Sequence, residues 1–161
     1  MTAKIDEAVQ LRKNNNPEKA LALLLALYKT APDDAEINYQ IAWTHDCMGQ
    51  ERQAATFYEE ALASGLKGDS RRGAFLGLGS TYRCLGVYEK SKDVFDRAVQ
   101  EFPDDRVFKT FRALTLYNLG QKDKCVEDLL IQLLDTTTDA GIKAYDGALR
   151  FYADKLDQTW Q

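Results

Sequence analysis

Histidine and cysteine, the side chains that most readily act as general base, nucleophile or soft-metal ligand near neutral pH, are scarce in this chain. There is one histidine, His45, and there are three cysteines, at positions 47, 84 and 125. No two cysteines have the Cys-x-x-Cys spacing of a zinc site. Cys47 and Cys84 occupy equivalent positions on what we expect to be neighbouring helices, about 10 Å apart and beyond disulfide reach. We therefore predict that His45 and the three thiols are buried packing residues, that the chain is not an enzyme, and that it holds no metal or cofactor.

The composition excludes further classes of function. The chain has 21 basic and 25 acidic residues, a net charge of −4 and no long basic stripe, which argues against nucleic-acid binding. The apolar stretch from Leu21 to Leu27 is too short to cross a membrane. Gly77-Leu78-Gly79 lacks the Lys-Ser/Thr pair of a phosphate-binding loop. No signal sequence opens the chain, and the cysteine number is odd, so we expect a reducing, cytoplasmic location.

The elements that position these residues repeat along the chain. Small residues recur at intervals of 34, 37 and 34 residues, at Ala8, Ala42, Gly79 and Ala113. Three further sets keep the same register: Asn15, Gly49, Gly86 and Gly120; Ala20, Ala54, Ser91 and Cys125; and Leu24, Tyr58, Phe95 and Leu129. This period is the length of a helix–turn–helix unit. The small residues are expected where helices cross, and the glycines where the first helix of each unit ends.

The third unit identifies the kind of repeat. It carries Phe75, Leu78-Gly79, Tyr82, Ser91, Phe95, Ala98 and Pro103. This pattern resembles the tetratricopeptide repeat family, and the chain looks like the small stand-alone bacterial members of that family. The resemblance implies an all-α, right-handed α-solenoid in a single domain, residues 1–161. The expected repeats are about 1–34, 35–71, 72–105 and 106–138.

Both ends of the chain depart from the pattern. In the first repeat, Lys4 and Glu7 replace large apolar residues, so its first helix is expected to fray. After the fourth repeat, an apolar stripe predicts one helix over about 138–160, covering the open end of the stack. The stripe consists of Ile142, Tyr145, Leu149, Tyr152, Leu156 and Trp160. The alternative is that this helix binds a partner or a membrane surface.

The family resemblance implies a non-catalytic scaffold or adaptor that binds a protein or peptide in its concave groove. The first helices of successive repeats line such a groove. Helical phase places these residues there: Tyr39, Gln40, Trp43, Arg72, Leu76, Ser80, Arg83, Phe111, Leu114 and Tyr117. Aromatic residues and arginine are frequent interface anchors, although Trp43, Leu76 and Leu114 are also suited to packing one helix against another.

Two further inferences concern the partner. Chaperone-binding members of the family clamp a terminal carboxylate with lysines, asparagines and an arginine. The matching positions here are Ile5, Val9, Gln40, Gly73 and Gly77, so the clamp is absent. Leucines at positions 21, 23, 24, 25 and 27 leave the second helix of the first repeat apolar on more faces than one stripe requires. The alternative function is therefore a structural homo-oligomer assembled through Leu21–Leu27, with the groove unused.

Overall fold

The computed structural model describes residues 1–161, which form ten α-helices and no strands. The helices are α1 (Thr2–Lys13), α2 (Pro17–Tyr28), α3 (Ala35–Cys47), α4 (Glu51–Ala63), α5 (Gly68–Cys84), α6 (Tyr88–Glu101), α7 (Arg106–Asn118), α8 (Lys122–Thr136), α9 (Ala140–Ala144) and α10 (Asp146–Tyr152). They fall into two compact units, Met1–Val94 and Phe95–Gln161. None of the helices is both long and apolar enough to cross a membrane.

Turn and cap residues set the helix boundaries, and the turn residues lie where the sequence predicts. Asn15 and Gly49 have φ of 59° and 67°, the left-handed conformation that ends a first helix, and the equivalent glycines of the next two repeats share it. Asp34 accepts a hydrogen bond from the Ile37 amide at 2.9 Å and caps α3. Asp105 caps α7 in the same way. Helix-ending turn residues and aspartate caps, which act within a few residues of the chain, therefore define the helical hairpins without help from long-range packing.

The core of the first unit begins at its first helix. Ile5 and Ala8 of α1 pack in one cluster with Leu24 of α2 and with Ile37 and Ile41 of α3. The expectation that this helix frays is wrong, because α1 is helical from Thr2 and buries its apolar side against the next two helices. The charged positions that suggested fraying are exposed, so they cost no packing.

The leucine-rich second helix is largely covered by its own chain. Leu24 and Leu27 belong to the core cluster, and Leu21 and Leu23 pack against it. Only Leu25 is exposed among the five leucines. The apolar surplus that suggested an oligomer interface through Leu21–Leu27 is therefore reduced to one leucine and the small side chains beside it.

The second unit is held by aromatic contacts and an arginine. Phe108 is fully buried and packs on Phe102 with ring centroids 5.7 Å apart. Arg112 of α7 forms a bidentate ion pair with Asp128 of α8, its Nη2 lying 2.9 Å from Oδ2. A second pair joins Arg112 to Asp96 at 3.2 Å. Phe108 therefore supplies apolar packing to the core of the second unit, and the ion pair of Arg112 with Asp128 joins α7 to α8.

The C-terminal segment differs from the single helix predicted over about 138–160. Two short helices, α9 and α10, meet at Tyr145, and residues 153–161 are not helical. Most of the predicted apolar stripe is exposed: Tyr145, Tyr152, Leu156 and Trp160. Glycines at 141 and 147 weaken a continuous helix, and the stripe finds too little core to compensate. Instead, Trp160 packs on Phe151 and Tyr152 in a half-exposed aromatic cluster.

Candidate interaction surface

The most exposed aromatic side chain of the first unit lies on α3. Trp43 is 42 % exposed although two neighbours hold its ring. The Arg12 guanidinium of α1 lies 4.2 Å from the ring centroid, in the range of a cation–π contact. The Tyr39 ring, one turn earlier on α3, is 5.8 Å away. Trp43 is therefore presented to solvent in a fixed orientation.

Arg12 is itself anchored by uncharged groups. Its Nη1 donates to the Gln40 carbonyl at 3.2 Å and to the Thr44 hydroxyl at 3.1 Å, and its Nη2 donates to Gln40 Oε1 at 2.7 Å. The Gln40 amide in turn donates to Glu36 at 2.7 Å. Burial lowers the pKa of Arg12 from its ordinary value. The guanidinium thus brings a positive charge to the base of Trp43 and connects α1 to α3.

Two glycines of α5 make room for tyrosines of the preceding repeat. A Cβ at Gly73 would collide with the hydroxyl of Tyr39, and a Cβ at Gly77 would collide with the ring of Tyr58. Gly77 therefore leaves no open hollow for a ligand, since Tyr58 fills the space. Burial raises the pKa of Tyr39 to about 12 and raises that of Tyr58 further, so both phenols are neutral packing groups.

A partly buried carboxylate links three helices beside this surface. Asp46 of α3 accepts hydrogen bonds from the Tyr58 hydroxyl of α4 and from the Thr81 hydroxyl of α5, each at 3.0 Å. Burial raises the pKa of Asp46, and the two hydrogen bonds oppose that change. Tyr82 of α5 also donates a hydrogen bond to Glu59 of α4. Together these polar contacts hold α3, α4 and α5 in their relative positions.

The residues first considered for chemistry take different places in the structure. His45 is buried, stacks on Phe57 at 5.7 Å and hydrogen-bonds Gln50 through Nδ1 at 2.6 Å, which confirms packing as its role. Cys125 is buried as predicted. The prediction of buried thiols is wrong for Cys47 and Cys84, which are exposed because each is the last residue of its helix and lies beyond the packed turns.

The predicted groove residues of the first unit differ in exposure. Tyr39 and Gln40 are buried and support Trp43 from within the helix layer. The remaining four lie on α5 and are half-buried: Arg72, Leu76, Ser80 and Arg83. Because the Tyr39 hydroxyl rests against Gly73, the neighbouring turn of α5 that carries Arg72 also borders this aromatic group.

The second unit presents its predicted residues on α7. Tyr117 and Leu114 are exposed, while Phe111 is half-buried and packs on Phe95 with ring centroids 6.2 Å apart. The Lys122 ammonium lies 5.9 Å from the Tyr117 ring centroid. Each unit therefore exposes one aromatic side chain from a first helix, with a cation beside it.

Comparison with known proteins now assigns the family. A family model described as tetratrico peptide repeat matches residues 35–156, which is most of the chain. The chain is a tetratricopeptide repeat protein. Its first helix pair lies outside the matched range, yet its residues belong to the core of the first unit. No curated protein is a recognisable relative of the chain by sequence.

Solved structures agree with the family assignment. The chain is similar to YrrB, described as a TPR protein with an unusual peptide-binding site, with a TM-score of 0.74 and 20 % identity over 96 % of this chain and 77 % of that one. A MamA structure from Desulfovibrio magneticus RS-1 gives a TM-score of 0.74 and 17 % identity over 97 % and 86 %. TTC0263, a thermophilic TPR protein from Thermus thermophilus, gives 0.66 and 23 % over 97 % and 84 %. These likenesses establish the all-α repeat fold.

The family assignment also sets the general function. Tetratricopeptide repeat proteins are non-catalytic protein-interaction scaffolds, and the chain is one of them. Sequence reasoning missed Arg12, the residue that orients Trp43. The sequence did contain a signal for this role. Arg12 lies one helical turn after the small residue Ala8, and Asp46 of α3 occupies the equivalent position in the second repeat. A helix that frays would hold no side chain in place, so the fraying expected for α1 concealed the role of Arg12.

Proposed function

We propose that this tetratricopeptide repeat protein is an adaptor that binds a peptide segment of a partner protein on the exposed faces of its first helices. The proposed site consists of the residues predicted from the repeat phase, some in contact with the peptide and some supporting those that are: Tyr39, Gln40, Trp43, Arg72, Leu76, Ser80, Arg83, Phe111, Leu114 and Tyr117. The observation that carries the proposal is Trp43, which is 42 % exposed while Arg12 and Tyr39 hold its ring.

The energetics of binding favour an aromatic group held in this way. A flexible tryptophan loses side-chain entropy when a ligand immobilises it, whereas Trp43 is ordered before the ligand arrives. Its exposed surface remains available for an apolar side chain of the peptide. Tryptophan and tyrosine are also among the residues that contribute most to binding at interfaces. Tyr39 and Gln40 act indirectly in this proposal, because both are buried beneath Trp43.

Further support comes from the composition and the fold. A partner of protein nature suits a chain with net charge −4 and interspersed charges better than a nucleic acid does. YrrB, which has the same fold, is described as having a peptide-binding site. Two exposed free thiols, Cys47 and Cys84, suit a reducing compartment such as the cytoplasm.

Panning a random peptide library on the whole chain would test the proposal. Peptides so selected would be synthesised, and their Kd values measured by calorimetry against the wild type and Trp43→Ala. We expect Trp43→Ala to weaken binding at least tenfold, because loss of an interface anchor costs about 2 kcal/mol or more. Circular dichroism would establish that the variant keeps its helicity.

Trp160→Ala is the matched control, since Trp160 is also about half-exposed but lies in the C-terminal aromatic cluster. Its Kd values should equal those of the wild type. Selected peptides that bind Trp43→Ala and the wild type equally would contradict the proposal. Equal losses in the two variants would also contradict it, because they would indicate a general effect of removing a tryptophan.

A further inference from the structure

The positive charge of Arg12 is not cancelled by the groups bonded to it. The three hydrogen bonds from its guanidinium go to Gln40 and Thr44, which are uncharged. The first carboxylate in this network is that of Glu36, which is bonded to the Gln40 amide and not to Arg12 itself. Because Arg12 is also largely shielded from water, its field is weakly screened. The charge therefore acts on whatever approaches the surface beside it.

This charge lies directly against the aromatic ring that we propose as the peptide anchor. The Arg12 guanidinium covers part of the Trp43 ring, 4.2 Å from its centroid, so the chain's own arginine already occupies a cation–π position on that ring. A ligand cation that packed on the exposed part of Trp43 would be within about 8 Å of the guanidinium and would be repelled. Trp43 is therefore suited to a neutral apolar group rather than to a cation.

A second arginine acts on the same part of the surface. Burial raises the pKa of Tyr39 to about 12 and Glu36 adds to that rise, whereas Arg12 and Arg72 oppose it. The charges of both arginines, one from α1 and one from α5, are thus felt one helical turn before Trp43. Two cations and one carboxylate leave this surface locally positive, on a chain whose net charge is −4. Its charge is complementary to that of an acidic segment.

We propose that Arg12 sets the charge specificity of the surface around Trp43. The peptide that binds there carries a glutamate or aspartate next to the apolar side chain that packs on Trp43, and segments with lysine or arginine in that place are rejected. This inference rests on the proposed function, because it names the class of peptide that the same surface takes. Arg12 lies at none of the positions that match the chaperone-binding clamp, and the group it selects is a side chain rather than a chain terminus.

The distance between the charges sets the size of the effect. Two unit charges about 8 Å apart near a protein surface change a dissociation constant by about fivefold at low salt. Replacing the acidic residue of the peptide by an uncharged one should therefore weaken binding about fivefold, and replacing it by lysine should weaken binding about 25-fold. Both differences should shrink below about twofold near 500 mM salt, where the screening length is about 4 Å.

Charge variants of the selected peptides test this inference on the whole chain. Peptides from the panning experiment that lose at least tenfold in affinity for Trp43→Ala would be synthesised with amidated C-termini. Each acidic residue would be replaced in turn by glutamine and by lysine. Calorimetry at about 20 mM and about 500 mM salt would give the Kd of each version.

Variants of the chain assign the preference to Arg12. In Arg12→Gln the glutamate and glutamine versions should bind equally, whereas Arg12→Lys should keep the preference for glutamate. Lys13→Gln is the matched control, since it removes the same charge from an exposed neighbouring position and should also keep the preference. The ratio of the two Kd values separates charge from structure, because a variant that only disturbs the Trp43 ring weakens both versions equally.

The outcomes distinguish this inference from the proposed function. Trp43-dependent peptides that lack an acidic residue beside the apolar anchor, or whose three versions bind the wild type equally, would overturn the inference and leave the proposed function standing. A preference that persists in folded Arg12→Gln, or disappears in Lys13→Gln, would overturn it by assigning the selection to another cation. If circular dichroism shows that Arg12→Gln does not fold, the Kd ratios of the wild type and Lys13→Gln decide. A search that yields no Trp43-dependent peptide would overturn the proposed function, and this inference with it.

Discussion

Arg12 shows how much a single residue contributes to the candidate surface. It is only 8 % exposed, and its hydrogen-bond acceptors, Gln40 and Thr44, are uncharged. A buried cation without a bonded carboxylate is costly unless its hydrogen-bonding groups are satisfied. Here the cation–π contact with Trp43 adds to those hydrogen bonds. Arg12 therefore both stabilises the first unit and orients the Trp43 ring.

Arg12→Ala should lower the free energy of unfolding by about 1–3 kcal/mol, because the side chain leaves polar groups of α3 without their donor. Trp43 should also become more mobile, which would reduce its fluorescence anisotropy. Urea titration and fluorescence of the two variants Arg12→Ala and Lys13→Ala would measure both effects. Lys13 is exposed, so its variant should resemble the wild type, and equal losses in the two variants would contradict the assignment.

Asp46 predicts a specific dependence of stability on pH. Burial raises its pKa in the folded state above 3.8, so in the range just above that value the folded chain binds more protons than the unfolded chain. The contribution of Asp46 to stability is therefore full at lower pH and is lost as the pH rises through the raised pKa. Asp46→Asn resembles the protonated form and should lack this dependence.

Urea titrations of the wild type and Asp46→Asn from about pH 4 to pH 7 would provide the comparison. The free energy of unfolding of the wild type should fall relative to that of the variant as the pH rises. A difference that stays constant would show that the hydrogen bonds from Tyr58 and Thr81 offset the burial of the carboxylate, and a change in the opposite direction would show that they outweigh it; either result contradicts the prediction.

At the scale of the helices, close approach is governed by missing side chains. Gly73 and Gly77 lie inside α5, where alanine is usually preferred by about 1 kcal/mol over glycine. In this helix a Cβ would strike Tyr39 or Tyr58. The two glycines therefore allow α5 to pack close to α3 and α4, and that packing brings Thr81 within hydrogen-bonding distance of Asp46.

Gly73→Ala should destabilise the fold by about 1–3 kcal/mol, because the collision outweighs the gain in helix propensity. Gly147→Ala is the matched control, since a Cβ at this position in α10 meets nothing within 4 Å, and it should be neutral or slightly stabilising. The denaturant midpoint should fall in Gly73→Ala and should stay unchanged or rise slightly in Gly147→Ala. A Gly73→Ala variant as stable as the wild type would indicate that Tyr39 moves aside without cost.

At the scale of the whole molecule, the first repeat is structurally part of the first unit although the family match begins at residue 35. Ile5 and Ala8 of α1 share a cluster with Ile37 and Ile41 of α3. The boundary of the recognisable sequence pattern is therefore not a boundary of the core. The buried side of the first repeat keeps the repeat register, at Ala8, Ala20 and Leu24.

A chain that begins at Ala35 should consequently be less stable than the full chain, because removing α1 and α2 exposes Ile37 and Ile41 to water. Its denaturant midpoint should fall, and its binding of a hydrophobic dye should rise. A chain that begins at Thr2 provides the control. If the shortened chain unfolded at the midpoint of the full chain, the first repeat would be dispensable to the core.

The sequence alone determined the helical hairpins, because their signals are local. The positive φ at Asn15 and Gly49, the caps at Asp34 and Asp105, and the repeat spacing of Ala8 and its equivalents each depend on residues close in the chain. The same local reasoning was wrong for residues 138–160, because an apolar stripe forms a stable helix only where a surface exists to bury it.

Only the tertiary structure decided which of the phase-predicted residues are available to a partner. Helical phase placed Tyr39 and Trp43 on the same face of α3. In the structure Tyr39 is buried because Gly73 of α5 leaves room for its side chain, whereas Arg12 of α1 supports Trp43 at the surface. The exposure of Cys47 and Leu129 was decided in the same way, by what lies beyond the end of a helix or beyond the last full repeat. Burial depends on contacts between residues distant in the chain, and a periodic pattern does not specify which partner is present at each position.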